Sequence, residues 1–207
     1  MKVLVLGATG KTGSLVVEAA VAKGHEVSVL VRDATKMKRS DVRVIVGDAG
    51  NRDNVVNAVH GQEAVIDTIG GTTPWKTTNL ETGAAENLIP SMKATAAARR
   101  LIVVSMMGLG ESLEQAPFWY RYILMKTFLH GSTEDKGHME DAVRESGLDY
   151  TIVRPPILAD TPATGGVTVL PAGRIGHKIT RADLANFLVE QLTSSAYIGH
   201  AVTVVNR

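Results

Sequence analysis

Short apolar runs recur along the chain without polar alternation: 2–6 (KVLVL), 26–31 (EVSVLV), 42–46, 64–67, 101–105 and 150–153. Runs of this kind, rich in Val and Ile, read as strands covered on both faces. Between them lie longer segments with apolar positions at helical spacing, over 11–23, 51–60, 77–99 and 132–146. Strand and helix alternate, so the pattern predicts an α/β fold on a doubly wound parallel sheet. Beyond Val153 the pattern loosens into "RPPILADTPATGGVTVLPAGRIGHKI", followed by an amphipathic helix over 181–192 and a last strand over 201–205. The expectation is a single domain over 1–207, with 154–207 as a C-terminal elaboration on its substrate side.

Punctuation residues support these cut points. Gly24 and Gly147 each stand between a helix and a strand, where a left-handed cap is required. Asn51 and Asp33 stand at N-cap positions. Pro90 interrupts the segment 77–99, which predicts a kink or two abutting helices.

Composition narrows the chemistry. The 207 residues are 44% hydrophobic and 21% charged, enough for one buried core. Lys plus Arg number 22 against 21 Asp plus Glu, and a net charge of +1 gives no reason to expect a nucleic-acid or anionic-membrane partner. No cysteine is present, which removes disulfides, thiolate metal sites and cysteine nucleophiles. The histidines, at 25, 60, 130, 138, 177 and 200, show no paired spacing, so no metal site is expected. The first strand pattern begins at Lys2, leaving no signal-peptide core, and the expected address is the cytoplasm.

The segment "GATGKTG", 7–13, carries the strongest chemical signal. Gly10-Lys11-Thr12 resembles the end of a nucleoside-triphosphate loop, but that motif needs glycine at the position held by Val5. A dinucleotide turn asks instead for a buried strand, a tight glycine turn and a helix whose free N–H groups face a pyrophosphate. All three stand in order here. Gly7 supplies the turn, Gly10 admits the phosphates, and Gly13 lets helix and strand pack closely; Thr9, Lys11 and Thr12 become phosphate-side donors. Past the second strand, "LVRDATK" places Arg32 and Lys36 where a ribose 2′-phosphate would lie, which favours NADP; the competing reading has Asp33 bind the ribose hydroxyls of NAD. "VGDAGN" sets Asp48 and Ala49 beside the adenine, and "TIGG" lays Ile69, Gly70 and Gly71 along the cofactor.

With GATGKTG, the Arg-Asp pair, the Gly-Asp step, "VVSMMG" and "SGLDYTIVRPP" in register, the chain resembles the atypical short-chain dehydrogenase/reductase family over nearly its whole length. It is most similar to the small NAD(P)H-binding members grouped with NmrA-like proteins and biliverdin/flavin reductase. "TGGVTV" and "GHKITRADLANFLVEQL" carry the same flavour. The resemblance implies a Rossmann fold, NADP or else NAD as cofactor, and reduction of a small-molecule acceptor such as a flavin, quinone or carbonyl compound, in a monomer or small homo-oligomer. It assigns Ser105 to the active-site serine, Lys136 to the lysine of the YxxxK motif, and Pro156 and Ile157 to the nicotinamide carboxamide.

One departure stands out: Ser132 occupies the position of the motif's tyrosine, so the usual phenolic proton donor is absent. A literal YxxxK at Tyr122 and Lys126 stands too early and reads as a chance match. Residues 117–129 hold five of the nine aromatic residues, and read as an apolar lid over the acceptor, a packing helix or a subunit contact. Acceptors that need little acid catalysis suit the missing tyrosine. So does a sensor that binds NADP(H) and a protein partner without turnover, and an epimerase- or dehydratase-like enzyme retaining NAD is a third reading.

Overall fold

The computed structural model describes residues 1–71, 73–95 and 97–207. Seven strands run parallel: β1 (Lys2–Leu6), β2 (Glu26–Val31), β3 (Arg43–Val46), β4 (Ala64–Asp67), β5 (Arg100–Val104), β6 (Asp149–Arg154) and β10 (His200–Asn206). A short eighth strand, β8 (Val167–Val169), closes the edge antiparallel to β10. The order is β3-β2-β1-β4-β5-β6-β10-β8. Two further three-residue strands, β7 (Ile157–Ala159) and β9 (Lys178–Thr180), pair parallel to each other beyond the sheet.

The unalternating strand pattern has a direct physical reason. In β1, Val3 and Val5 enter one core with Val16, Val17 and Ala20 of α1 (Lys11–Ala22) and Leu184 and Leu188 of α5 (Arg181–Glu190). Leu4 and Leu6 enter the opposite core with Val55 and Val59 of α2 (Arg52–Val59), Leu88 of α3 (Leu80–Lys93), and Met139 of α4 (His130–Arg144). The central strands meet a helical layer on both faces, so both parities must be apolar there. No helix among the described residues is long and apolar enough to cross a membrane.

The caps follow the sequence. Gly24 and Gly147 adopt φ of +80° and +70°, and the side chain of Asn51 accepts from the Asn54 N–H. Asp33 caps a short turn over Ala34–Lys36. Other details differ, among them the short strands β7 and β9. The antiparallel β8 was not anticipated, because three half-buried residues flanked by Gly166 and Leu170 carry no readable period. The segment 77–99 holds one helix rather than two, starting at Leu80, with Pro90 in its last turn; the ring forgoes the backbone bond to the Glu86 oxygen, and the helix ends three residues later. The start at Leu80 is set from another helix. Asp135 of α4 accepts the N–H groups of Leu80 (2.8 Å), Glu81 (3.2 Å) and Thr82 (2.9 Å), while the N-cap residue Asn79 makes no side-chain cap.

Candidate cofactor and acceptor site

Strand order reverses at β1 and β4, and ligands of open parallel sheets bind in the crevice outside the carboxyl ends at such a point. Gly7 leaves β1 there at φ +72°, and a Cβ on it would stand 2.7 Å from the Thr68 backbone beyond β4. A Cβ on Gly13 would stand 2.1 Å from the Gly7 carbonyl oxygen. These two glycines are packing requirements of the turn. Gly10 is different: its Cβ would meet only the Gly7 oxygen at 3.2 Å, and its outer side is open. The Gly10 N–H bonds the Gly7 oxygen (2.9 Å), and the first helical bond runs from the Ser14 N–H to the Gly10 oxygen (2.9 Å). No side chain caps α1, so the N–H groups of Lys11, Thr12 and Gly13 emerge from the helix start as an anion-binding end. This fits a dinucleotide pyrophosphate.

Exposed Thr9 and half-buried Thr12 flank that end. Lys11 is engaged at a distance: its Nζ donates to Asp160 (2.8 Å), which also takes Arg181 at the head of α5. These two cations, Lys11 first, hold the Asp160 carboxyl below its ordinary range.

Arg32 and Lys36 are both exposed at the end of β2. Arg39 is taken up by Asp41 (2.6 Å), whereas Arg32 and Lys36 have no acid partner among the described residues. Asp33, also exposed, caps its own turn instead, its Oδ1 accepting from the Thr35 hydroxyl (2.6 Å) and N–H (3.0 Å), and these bonds lower its pKa. Asp48 closes its own turn by accepting from Gly50 (2.9 Å), and Ala49 is tied to α3 through the Asn87 amide (3.0 Å).

Ile69, Gly70 and Gly71 lie over a cluster of buried acids that sequence reasoning passed over. The Ile69 N–H donates to Asp67 (2.8 Å) and the Gly71 N–H to Glu81 (3.1 Å). Burial pushes the Asp67 carboxyl up to about 6, against the Ile69 N–H and Lys136. Burial raises Glu81 as well. Burial also works against charge on Asp135, but the donors around it outweigh that and hold it well below the carboxylate range. Lys136 is the cation of this cluster: its Nζ lies 3.4 Å from Glu81 and 3.3 Å from the Val104 oxygen, and its side chain is 12% exposed. It is therefore no free surface lysine. An acid ending the apolar run "AVID" was the one visible signal for the cluster.

Val104 leads into Ser105, which is buried and whose hydroxyl has no hydrogen-bond partner. An orphaned polar atom at such a position requires a ligand or water to satisfy it. The ladder between β5 and β6 continues past both strands, through Ser105 N–H to Val153 oxygen (2.8 Å) and Met107 N–H to Pro155 oxygen (3.0 Å). This register sets Ser105 beside Arg154 and Met107 beside buried Pro156. Beyond them opens a cavity of about 260 Å³, mostly apolar, formed by Met107, Pro117, Trp119, Tyr120, Ile157 and Gly176 with exposed His177 and Lys178. The aromatic stretch therefore reaches Ile157. Tyr120 packs with Met106, Met107 and Met125 and also lines the cavity, while Phe118, Trp119, Tyr122, Ile123 and Phe128 stay exposed. Tyr122 lies on the surface under Lys126 (5.6 Å) and Arg121 (5.7 Å), apart from the Lys136 cluster.

The Rossmann-like fold with its glycine turn is that of the atypical short-chain dehydrogenase/reductases, a class of NAD(P)H-dependent oxidoreductases. The chain belongs to the NAD(P)H-binding family, whose model matches residues 7–195. An uncharacterized chloroplastic protein of Arabidopsis thaliana is 30% identical over 225 aligned positions, covering 100% of this chain and 77% of that one. The anaerobillin reductase ChuY from Escherichia coli O157:H7 superposes with a TM-score of 0.81 at 26% identity, covering 100% of this chain and 97% of the other. The oxidoreductase ylbE from Lactococcus lactis superposes with a TM-score of 0.84 at 20% identity, over 100% and 91% of the two chains.

Proposed function

We propose that the protein is an NADPH-dependent reductase that passes hydride from the nicotinamide to a flavin, quinone or similar planar acceptor. The observation that carries this reading is the buried, unpartnered Ser105 hydroxyl at the strand end that leads, two residues on, to Met107 in the wall of the apolar cavity. A planar conjugated molecule fills such a cavity and offers the serine an acceptor atom. The residues of this chain do the positioning: the N–H groups at the head of α1 hold the pyrophosphate, Pro156 and Ile157 lie against the carboxamide, and Lys136 reaches the nicotinamide ribose. Reduced nicotinamide supplies the hydride. Arg32 and Lys36, unpaired at the ribose end, select the 2′-phosphate and hence NADP over NAD. Residues 154–207 supply the far wall of the acceptor site through Ile157 and Gly176.

The test is oxidation of NADPH, followed optically, with a panel of flavins, quinones and aldehydes. Turnover with flavins or quinones, slowed about ten- to a hundredfold in Ser105→Ala for a hydrogen bond lost in the transition state, is the expected result. Tight NADPH binding with no acceptor reduced above the uncatalysed rate overturns the reading in favour of a sensor.

A further inference from the structure

We propose that Tyr120 is the proton donor of the acceptor cavity, and that the acceptor it serves carries a conjugated carbonyl group. The proposal rests on the reductase reading and narrows it.

The position that carries a phenol in the tyrosine–lysine motif is held by half-buried Ser132 here. Ser132 stands in the first turn of α4, its N–H bonded to the Pro74 oxygen (3.0 Å), and the neighbouring Gly131 is pressed so close to Lys76 that a Cβ would stand 2.2 Å from that backbone. Tyr122 is on the surface beneath two cations. Tyr120 alone among the tyrosines lines the cavity, and it is 5% exposed. Its ring is fixed by the edge of Trp119, with centroids 5.8 Å apart, and by Met125 and Met107. Its hydroxyl makes no hydrogen bond among the described residues and is not one of the fully enclosed unpartnered atoms. The remaining wall, of thioether, proline, indole and isoleucine, holds no other neutral oxygen donor.

Two other groups are poorly placed to give up a proton. Lys136 is committed to Glu81 and the Val104 oxygen. The Ser105 hydroxyl is a hydrogen-bond donor whose alkoxide is too basic to leave behind. Burial raises the Tyr120 phenol to about 12, so it stays protonated throughout the neutral range. Exposed Lys178 and His177, also on the cavity wall, favour an acceptor with an anionic substituent.

The step balances. A conjugated carbonyl acceptor gains a hydride from reduced nicotinamide, which is left oxidised. The displaced π pair comes to rest on the carbonyl oxygen, and that oxygen takes the Tyr120 hydroxyl proton. Water entering through the cavity mouth returns a proton to the phenolate. A flavin spreads its negative charge over its own ring and needs this proton less.

The experiment compares the parent with Tyr120→Phe, using 9,10-anthraquinone-2-sulfonate as probe. Without cofactor, the infrared carbonyl stretch of the bound probe is expected at lower frequency in the parent than in the variant, while Trp119 quenching reports binding in both. With NADPH, quinone turnover is expected to fall about a hundredfold, the scale of a lost general acid, and flavin turnover much less. An unchanged melting temperature and NADPH affinity establish that the variant is folded, and incorporation of a fluorinated tyrosine at position 120 should restore turnover and shift its pH profile downward. Equal carbonyl frequencies together with equal quinone rates overturn the proposal while leaving the reductase reading intact. A carbonyl shift lost in the variant, in a protein that oxidises NADPH with no acceptor, overturns the reductase reading while the Tyr120 contact stands.

Discussion

The three glycines of the opening loop do different work, and substitution separates them. A methyl on Gly13 collides with the Gly7 backbone at 2.1 Å, where neither atom can yield. Gly13→Ala is therefore expected to destabilise the fold by about 1–3 kcal/mol, the range for overpacking, read as a lowered melting temperature. A methyl on Gly10 meets a single oxygen at 3.2 Å and otherwise faces outward. Gly10→Ala should leave melting nearly unchanged yet weaken NADPH binding measured by calorimetry, because it fills the space the phosphates need. Loss of stability without loss of binding in Gly10→Ala would show that the loop holds no pyrophosphate. At the other end of the cofactor, Arg32→Glu should lower the ratio of NADPH to NADH affinity by about ten- to a hundredfold, for charge-assisted bonds of about 1.5–3 kcal/mol. Equal affinities for the two cofactors in the parent would remove the 2′-phosphate assignment.

Elements were legible where one residue type repeated and obscure where distant residues set the outcome. The strands of the main parallel sheet and the helices between them follow from periodicity, because each is buried by its own apolar positions. The start of α3 does not, since its backbone donors are capped by Asp135, 55 residues beyond Leu80. The same distance hid the buried acids: Asp67, Glu81 and Asp135 come from β4, α3 and α4, and only folding brings them to Lys136. Tyr120 was hidden differently, within an aromatic stretch whose 3₁₀- and π-type turns give it no clean period. Asp135→Ala should strand the N–H groups of Leu80, Glu81 and Thr82 together. A cost of about 1–3 kcal/mol is expected for leaving buried donors unsatisfied, with faster hydrogen exchange in the first turn of α3. Because Glu81 also holds the Gly71 N–H, exchange should quicken at Gly70 and Gly71. Unchanged exchange at Gly71 would separate the acid cluster from the cofactor loop.

At the scale of the molecule, the last third of the chain must be fastened to the sheet if it is to wall the acceptor site, and one carboxylate concentrates that fastening. Asp183 in the first turn of α5 accepts from the Thr164 N–H (2.8 Å), the Gly165 N–H (3.0 Å), the Thr180 hydroxyl (2.8 Å) and the Asn206 amide (2.7 Å). It thereby joins the loop before β8, the head of α5 and the end of β10. Burial opposes its charge, but these donors, Thr164 first, outweigh it and hold the carboxyl at about 2. The sign follows from linkage: a carboxyl lowered on folding contributes stability that is fully present above its unfolded pKa of 3.8 and is lost as pH falls toward 2. Stability should therefore decline across that window, with hydrogen exchange quickening first over 164–169 and 200–206. Asp183→Asn should be less stable at neutral pH by about 1–3 kcal/mol, because its amide turns a donor toward donors. It should also lack the part of the acid transition that belongs to this carboxyl. An acid transition of the same slope in both proteins would place the acid sensitivity elsewhere and leave α5 and β10 held by apolar packing alone.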